Sequence, residues 1–97
     1  MPTYIVLAKW TRDGLQKMKE SPARLDAGRK AFEAAGVKMK AFYMVMGQYD
    51  MLTVAEAPND AAMAKANLAV VSKGAIQTET LRAFTEEEYR KILSELA

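Results

Sequence analysis

The sequence predicts an α+β domain in which the elements follow the order βαββαβ, with one further helix at the C-terminus. Four segments are rich in the β-branched and aromatic residues that strands favour. The two longer segments between them carry apolar residues at helical spacing. A short turn containing glycine joins the second and third strands. At 97 residues, the chain is expected to form a single domain, 1–97.

The first strand is predicted over residues 3–10, and a helical segment over 11–36 follows it. Both faces of the strand are largely apolar, so both faces of the sheet are expected to be covered. Ser21 is expected to cap the main part of the helical segment, with Pro22 at the first helical position. Gly36 is expected to end it, because glycine readily adopts the left-handed conformation found after helices.

One apolar stripe runs along the main part of this helical segment, and we expect it to face the sheet. Its members are Leu25, Gly28, Phe32 and Ala35. Because glycine has no side chain, Gly28 is expected to allow the helix to approach the sheet closely.

A β-hairpin is predicted in the middle of the chain. Its strands span residues 37–46 and 50–57, and residues 47–49 form the turn. Two strands joined by so short a turn must pair antiparallel. The later part of the first of these strands has apolar side chains on both faces.

The second half of the chain is predicted to form a helix, a strand and a final helix. Asn59 is expected to cap the first helix, which continues to Lys73. The fourth strand is predicted over residues 75–84. Thr85 and Glu88 then have the spacing of a capping box, which predicts that a helix begins there.

This order of elements is the ferredoxin-like split βαβ pattern, with a four-stranded antiparallel sheet. Right-handed crossovers place both long helices on one face of the sheet. The strands are apolar on the other face as well, and leaving that face in water would expose a large apolar patch. We therefore expect the chain to assemble with itself, as a homodimer or a higher oligomer in which two sheets face each other.

Composition excludes several classes of function. The chain has no cysteine and no histidine, which excludes disulfides, thiol chemistry, histidine-bound haem and Ser-His-Asp catalysis. No cofactor and no metal site is predicted. The net charge of +2 gives no indication of nucleic-acid binding. Neither a signal peptide nor an apolar run of about 20 residues is found, so the chain is expected to be cytoplasmic and to bind no membrane.

The predicted topology brings several polar and aromatic residues to one edge of the sheet, where a pocket is expected. The end of the first strand, the hairpin turn and the start of the fourth strand meet there. The candidate ligand-binding residues are Trp10, Tyr43, Tyr49, Asp50 and Thr78.

The chemistry of these candidates has two interpretations. Asp50 beside Tyr49 can orient the phenol as an acid or hydrogen-bond donor. Alternatively, Asp50 accepts backbone N–H bonds at the hairpin while Tyr49 packs against Trp10. Thr78 can bond a ligand or pair across strands.

Five blocks of the sequence resemble the GYD-domain family, and together they extend over nearly the whole chain. The blocks are residues 4–11, 19–22, 47–50, 54–60 and 78–85, and Gly47-Gln48-Tyr49-Asp50 is among the strongest. The resemblance implies a dimeric α/β-barrel fold. It implies little about activity, because the family is largely uncharacterised. Residues 73–77 depart from the family pattern at the edge of the predicted pocket, so ligand preference can differ from that of relatives.

The hypothesis favoured by the sequence is a small oligomeric domain that binds or senses a small, partly apolar molecule at the strand-end and hairpin rim. One alternative is a cofactor-independent monooxygenase or isomerase, by analogy with other dimeric α/β barrels. Another is a purely structural or regulatory subunit. The sequence does not specify the ligand, the pathway or whether a reaction occurs.

Overall fold

The computed structural model describes all 97 residues, and it confirms the ferredoxin-like α+β fold. The strands are β1 (Thr3–Trp10), β2 (Lys38–Met44), β3 (Met51–Glu56) and β4 (Ile76–Ala83). The helices are α1 (Arg12–Gln16), α2 (Ser21–Ala34), α3 (Asp60–Val71) and α4 (Glu86–Ser94), and a 3₁₀ turn spans Met18–Glu20. None of the helices is long and apolar enough to cross a bilayer.

The four strands form one antiparallel sheet in the order β2-β3-β1-β4. In the middle of the sheet, Val6 of β1 lies opposite Thr53 of β3 and Thr80 of β4. The register between β2 and β3 shifts between Met39 and Ala41, which leaves a bulge at Lys40 on the edge strand β2. The hairpin that joins β2 and β3 is confirmed, although its connecting segment is longer than predicted.

The face of the sheet that packs against α2 and α3, called here the covered face, contains the core. Its buried side chains alternate along β1 and β3, as half-covered strands require. They are Tyr4, Val6, Ala8, Met51, Thr53 and Ala55. Three of them, Tyr4, Val6 and Ala55, form one buried cluster with residues of the helices and of the adjoining loops, namely Phe32, Val37, Ala57, Met63 and Ala66. Both long helices therefore lie on one face, as the crossover rule predicts.

The opposite face, called here the open face, has no helix of its own. Its side chains are the alternate residues of the same strands. The large apolar residues among them are Ile5, Leu7, Tyr43, Leu52, Val54 and Leu81. Leu81 is 43% exposed and Tyr43 is 58% exposed. The chain alone thus leaves a sheet of large apolar side chains in contact with water.

Local capping signals decide where the helices begin and end. The Asn59 side chain accepts a hydrogen bond from the backbone N–H of Ala62, and Thr85 and Glu88 form the predicted capping box. The backbone N–H of Thr85 donates to the Glu88 carboxylate, which lowers the pKa of Glu88. Gly36 has a φ of 78°, as expected for the residue that follows a helix.

Two predictions about α2 are wrong. Ser21 is not the N-cap, because the chain enters α2 directly from the 3₁₀ turn and Glu20 holds that position without a side-chain bond. Gly28 does not bring the helix against the sheet either. A side chain there would first meet Val70 of α3, at 3.8 Å. Among the predicted stripe residues only Phe32 is buried, so α2 is held to the core mainly near its C-terminal end.

Gly14 makes the one close backbone approach in the fold. A Cβ atom on this residue would lie 2.1 Å from the carbonyl oxygen of Ala75. The neighbouring Thr11 strengthens the same junction, because its backbone N–H donates to Ala75 at 3.0 Å and its hydroxyl donates to Gly74 at 2.6 Å. The start of α1 is thereby fixed to the start of β4.

The C-terminal helix α4 makes little contact with the rest of the chain. Its apolar side chains follow helical spacing but stay exposed, and the chain is accordingly elongated, with extents of 52 × 30 × 17 Å. The exposed residues are Tyr89, Ile92 and Leu93 within the helix and Leu96 just after its end. A helix with an unpacked apolar side is expected to find a partner outside its own chain.

Candidate functional site

Asp50 ties the hairpin to the end of β1. Its carboxylate Oδ2 accepts a hydrogen bond from the backbone N–H of Trp10 at 3.0 Å. Its own backbone N–H donates to the carbonyl of Ala8 at 2.8 Å. The indole Nε1 of Trp10 in turn donates to Ser21 Oγ at 3.3 Å, which links the strand to the beginning of α2. Asp50 therefore accepts a hydrogen bond from a backbone N–H, as the second interpretation of the sequence expects. The donor, however, lies on β1 rather than in the turn.

Tyr49 turns toward the open face instead of toward Trp10. Its hydroxyl donates to Glu79 Oε2 at 2.6 Å, and Lys9 Nζ lies 5.3 Å from the centre of its ring. The bond to the Glu79 carboxylate, followed by desolvation, raises the pKa of the Tyr49 phenol. The carboxylate that orients this phenol is thus Glu79, whereas Asp50 is engaged elsewhere.

The five candidate residues are divided between the two faces of the sheet. Tyr43 and Tyr49 lie on the open face. Thr78 lies on the covered face, where its hydroxyl donates to the side-chain oxygen of Asn67 at 2.9 Å. Trp10 and Asp50 are joined at the end of β1. The structure therefore brings Trp10 and Asp50 together and places Tyr43 and Tyr49 on the opposite face. Thr78 lies on the same face as Trp10, but its hydroxyl is bonded to Asn67.

A cavity of about 380 Å³ lies between the covered face and the two helices α2 and α3. Thr78 is the only one of the five candidates among its lining residues. Most of the lining is apolar, and it comes from both helices and from all four strands or the residues next to them. The apolar residues are Val6, Ala8, Leu25, Ala27, Ala31, Phe32, Met39, Phe42, Met51, Ala69, Val70, Ala75 and Ile76. This volume and lining are typical of small-molecule sites.

Charged side chains lie around this cavity where α1, the 3₁₀ turn, α2 and the end of α3 meet. The lining includes Lys17, Arg24 and Lys73 as cations, and Asp13 and Glu20 as anions. Lys17 pairs with Asp13 at 3.7 Å. Arg24 donates from Nη2 to the backbone carbonyl of Lys17 at 2.7 Å. The site thus combines an apolar interior with a charged rim.

A smaller cavity of about 310 Å³ lies on the other side of α3. The hydroxyl of Tyr4 donates there to the carboxylate of Asp60, at the beginning of α3. That bond raises the pKa of the Tyr4 phenol, and desolvation acts in the same direction. Asn67 lines both cavities, so one face of α3 separates them. No three acidic residues of the chain gather as a metal-binding group.

The larger cavity was not predicted from the sequence. The α2 residues that line it are mostly small, and a helix face of small residues usually indicates close packing. The available signal was the weakness of the predicted stripe, since Leu25 and Phe32 are its only large members. A helix with so few large apolar residues fills little space between itself and the sheet.

Comparison with known proteins identifies the family. The sequence model of the GYD domain matches residues 4–93. A protein of Thermus thermophilus named "Glutamine synthetase and cystathionine beta-lyase binding protein" is 39% identical over 84 residues, which cover 86% of this chain and 88% of that protein. The crystal structure of TTHA0845, also from Thermus thermophilus, shares the fold, with a TM-score of 0.57 and 22% identity over 88% of this chain and 95% of that chain. The chain therefore belongs to the GYD domain family.

Proposed function

We propose that this chain is a homodimeric protein-binding domain that docks on a metabolic enzyme. The observation that carries the proposal is the apolar surface that one copy of the chain leaves without a partner, namely the open face and one side of α4. The relative from Thermus thermophilus is named as a binding protein of glutamine synthetase and cystathionine beta-lyase. These two enzymes are therefore the partners to test.

The open face is the surface that we assign to a second copy of the chain. Its centre is apolar, and its margins carry two cations and two anions, which are Lys9, Lys38, Glu56 and Glu79. A patch that is apolar at the centre and neutral overall can pack against itself about a two-fold axis, with opposite charges meeting at the margins. The dimeric α/β barrel implied by the family resemblance uses the same face.

The apolar side of α4 is the surface that we assign to the enzyme. Its residues are between 45% and 69% exposed, so it is available without any rearrangement. An amphipathic helix can lay its apolar side into a groove of a partner protein. The capping box at Thr85 and the exposed ion pair between Arg90 and Glu86, at 2.8 Å, support the helix while it is unpacked.

Single carboxylates introduced into the two surfaces test these assignments separately. Ile92→Glu is expected to leave the dimer intact and to weaken enzyme binding at least about tenfold, because it forces a charge into an apolar contact. Val54→Glu is expected to yield monomers. Binding is measured by surface plasmon resonance on purified glutamine synthetase and cystathionine beta-lyase, and mass by light scattering after gel filtration.

Leu68→Glu is the matched control, because Leu68 is 63% exposed on α3 and lies outside both surfaces. It is expected to change neither mass nor binding. Failure of the wild-type chain to bind either enzyme contradicts the proposed function. Monomers produced by Ile92→Glu contradict the assignment of α4 to the enzyme.

Small-molecule binding is a second candidate function, and the cavity beneath α2 is the observation that favours it. The molecule would occupy this cavity rather than the rim formed by the hairpin and the end of β1. Neutral N-phenylnaphthylamine, whose fluorescence rises in apolar sites, is a suitable probe. We expect Ala31→Phe, which fills the cavity, to abolish its binding, while Ala34→Phe on the exposed side of the same helix leaves it unchanged. Equal binding of the probe to both variants contradicts this function. Catalytic turnover of the bound molecule, the alternative raised by the sequence, stays a prediction.

A further inference from the structure

We infer that the cavity beneath α2 selects a largely apolar organic acid, whose anionic group binds Arg24 at the rim. This inference rests on the second candidate function, small-molecule binding, and adds the chemical class of the ligand. The apolar interior sets the bulk of the molecule, and the guanidinium sets the charge of its head group.

The environment of Arg24 is what points to an acid. Five charged side chains line the cavity, and Arg24 is the only one of them that is partly buried rather than exposed. It has no carboxylate partner within 4.0 Å, since the ion pairs of the chain are Lys17–Asp13 and Arg90–Glu86. A partly desolvated cation without an anion is unfavourable unless a ligand supplies one. A guanidinium also fits a carboxylate in a two-point contact.

The position of Arg24 is held by the backbone. One terminal nitrogen, Nη2, donates to the carbonyl of Lys17 at 2.7 Å. A guanidinium carries five N–H donors, so this bond fixes the group while other donors stay free for a ligand. The 3₁₀ turn that follows Lys17 leads directly into α2, and the same short segment therefore orients both the helix and the cation.

The other charged side chains at the rim are expected to contribute little to the binding of an anionic group. Asp13 pairs with Lys17 at 3.7 Å, and both side chains are more than half exposed to solvent. Glu20 and Lys73 carry opposite charges, and both are exposed, so solvent screens them more strongly than Arg24. The polar pair inside the cavity, Thr78 and Asn67, is neutral and already internally bonded. Selection by charge is therefore expected to depend on Arg24.

Two fluorescent probes of similar shape test the inference. Anilinonaphthalene sulfonate carries an anionic group, and N-phenylnaphthylamine is its neutral counterpart. Arg24→Met keeps a side chain of similar length without the charge, and it is expected to weaken sulfonate binding about tenfold while neutral-probe binding changes less than about twofold. Arg29→Met is the matched control, because Arg29 is exposed on the same helix and does not line the cavity.

Cavity-filling variants separate binding in the cavity from binding elsewhere. A probe on the open face or on α4 is insensitive to Ala31→Phe, whereas a probe in the cavity is lost. Ala31→Leu replaces this variant if the phenylalanine prevents folding, and each variant is used only if it melts within about 4 °C of the wild type. Dissociation constants are obtained from fluorescence titration of the full chain.

The outcomes distinguish the inference from the function on which it rests. Loss of the sulfonate but not of the neutral probe in Arg24→Met, with both lost in Ala31→Phe, supports both. An unchanged affinity for the sulfonate in Arg24→Met, or an equal loss of both probes, overturns the organic-acid inference while cavity binding stands. Probe binding that Ala31→Phe or Ala31→Leu leaves intact, or no binding at all, overturns both.

Discussion

Both faces of the sheet carry large apolar side chains, but only the covered face has helices of its own chain packed against it. The covered face, beneath the helices, mixes large side chains such as Phe42 and Met51 with small ones such as Ala8. The open face carries large ones such as Leu52 and Leu81, although no helix packs against them. Large apolar side chains are thus covered within the chain on one face and left without a partner on the other. We therefore propose contact with another protein for the open face and enclosure of a small molecule for the covered face.

The largest expected difference in stability is between truncating one large residue beneath the helices and truncating one on the open face. Phe32→Ala removes an aromatic ring that is only 4% exposed, and the cost is expected to be about 3–5 kcal/mol, close to the whole stability of a small domain. Leu81→Ala on the open face is expected to cost less than about 1 kcal/mol when the protein is dilute. Urea denaturation monitored by circular dichroism measures both, and equal losses would contradict the contrast between the faces.

Replacing a glycine by alanine at two positions compares a tightly packed site, Gly14, with a loosely packed one, Gly28. Gly14→Ala is expected to destabilise the chain by about 1–3 kcal/mol, because the new Cβ would lie 2.1 Å from the Ala75 carbonyl oxygen. Gly28→Ala is expected to stabilise it by about 0.5–1 kcal/mol, since the methyl group only touches Val70 at 3.8 Å and glycine is unfavourable within a helix. Thermal melting compares the two variants. A lower melting temperature in both would show that there is no free space beside α2 at Gly28.

Removal of one N-cap from each of two helices compares α3, which packs on the sheet, with α4, which does not. Asn59→Ala is expected to lower global stability by about 1 kcal/mol, because unfolding of α3 exposes buried Met63 and Ala66. Thr85→Ala is expected to leave the global transition almost unchanged and to accelerate hydrogen exchange in α4 alone. A global loss in Thr85→Ala as large as that in Asn59→Ala would mean that α4 is packed in solution.

The smallest expected effect is a change in the pKa of the Tyr49 phenol, which is measured spectroscopically. The Glu79 carboxylate raises the pKa of Tyr49, so the folded state holds the phenolic proton, and the stability from this bond is lost as pH rises through that raised pKa. Glu79→Gln is expected to return the pKa of Tyr49 toward its ordinary value near 10.0. Ultraviolet titration of tyrosinate measures it. Asp50→Asn serves as the control, because Asp50 bonds Trp10 and not Tyr49, and an equal change in that variant would contradict the assignment.

The fold was predictable because its signals are local and agree with one another. Asn59, Thr85 with Glu88, and Gly36 each have one preferred role at a helix end, and all three predictions are confirmed. The order of elements then restricts the topology, since right-handed crossovers leave few alternatives. None of these steps depends on how side chains pack.

The site is less predictable because it depends on where side chains point. The sequence predicts a turn at residues 47–49, but β2 ends at Met44 and β3 begins at Met51. This longer connection, with Gly47 at a φ of 127°, sends Tyr49 and Asp50 to different partners. The residue type of Ser21 suits a helix cap, yet its hydroxyl accepts a bond from distant Trp10. Contacts between residues far apart in the chain leave no recognisable pattern in the local sequence.

The bulge at Lys40 affects the behaviour of the protein at high concentration. An unprotected edge strand offers its backbone groups to further chains and can seed fibrils. On β2 the bulge interrupts the regular ladder, and exposed Lys38 and Lys40 add charge along the same edge. Growth by strand addition is therefore disfavoured there.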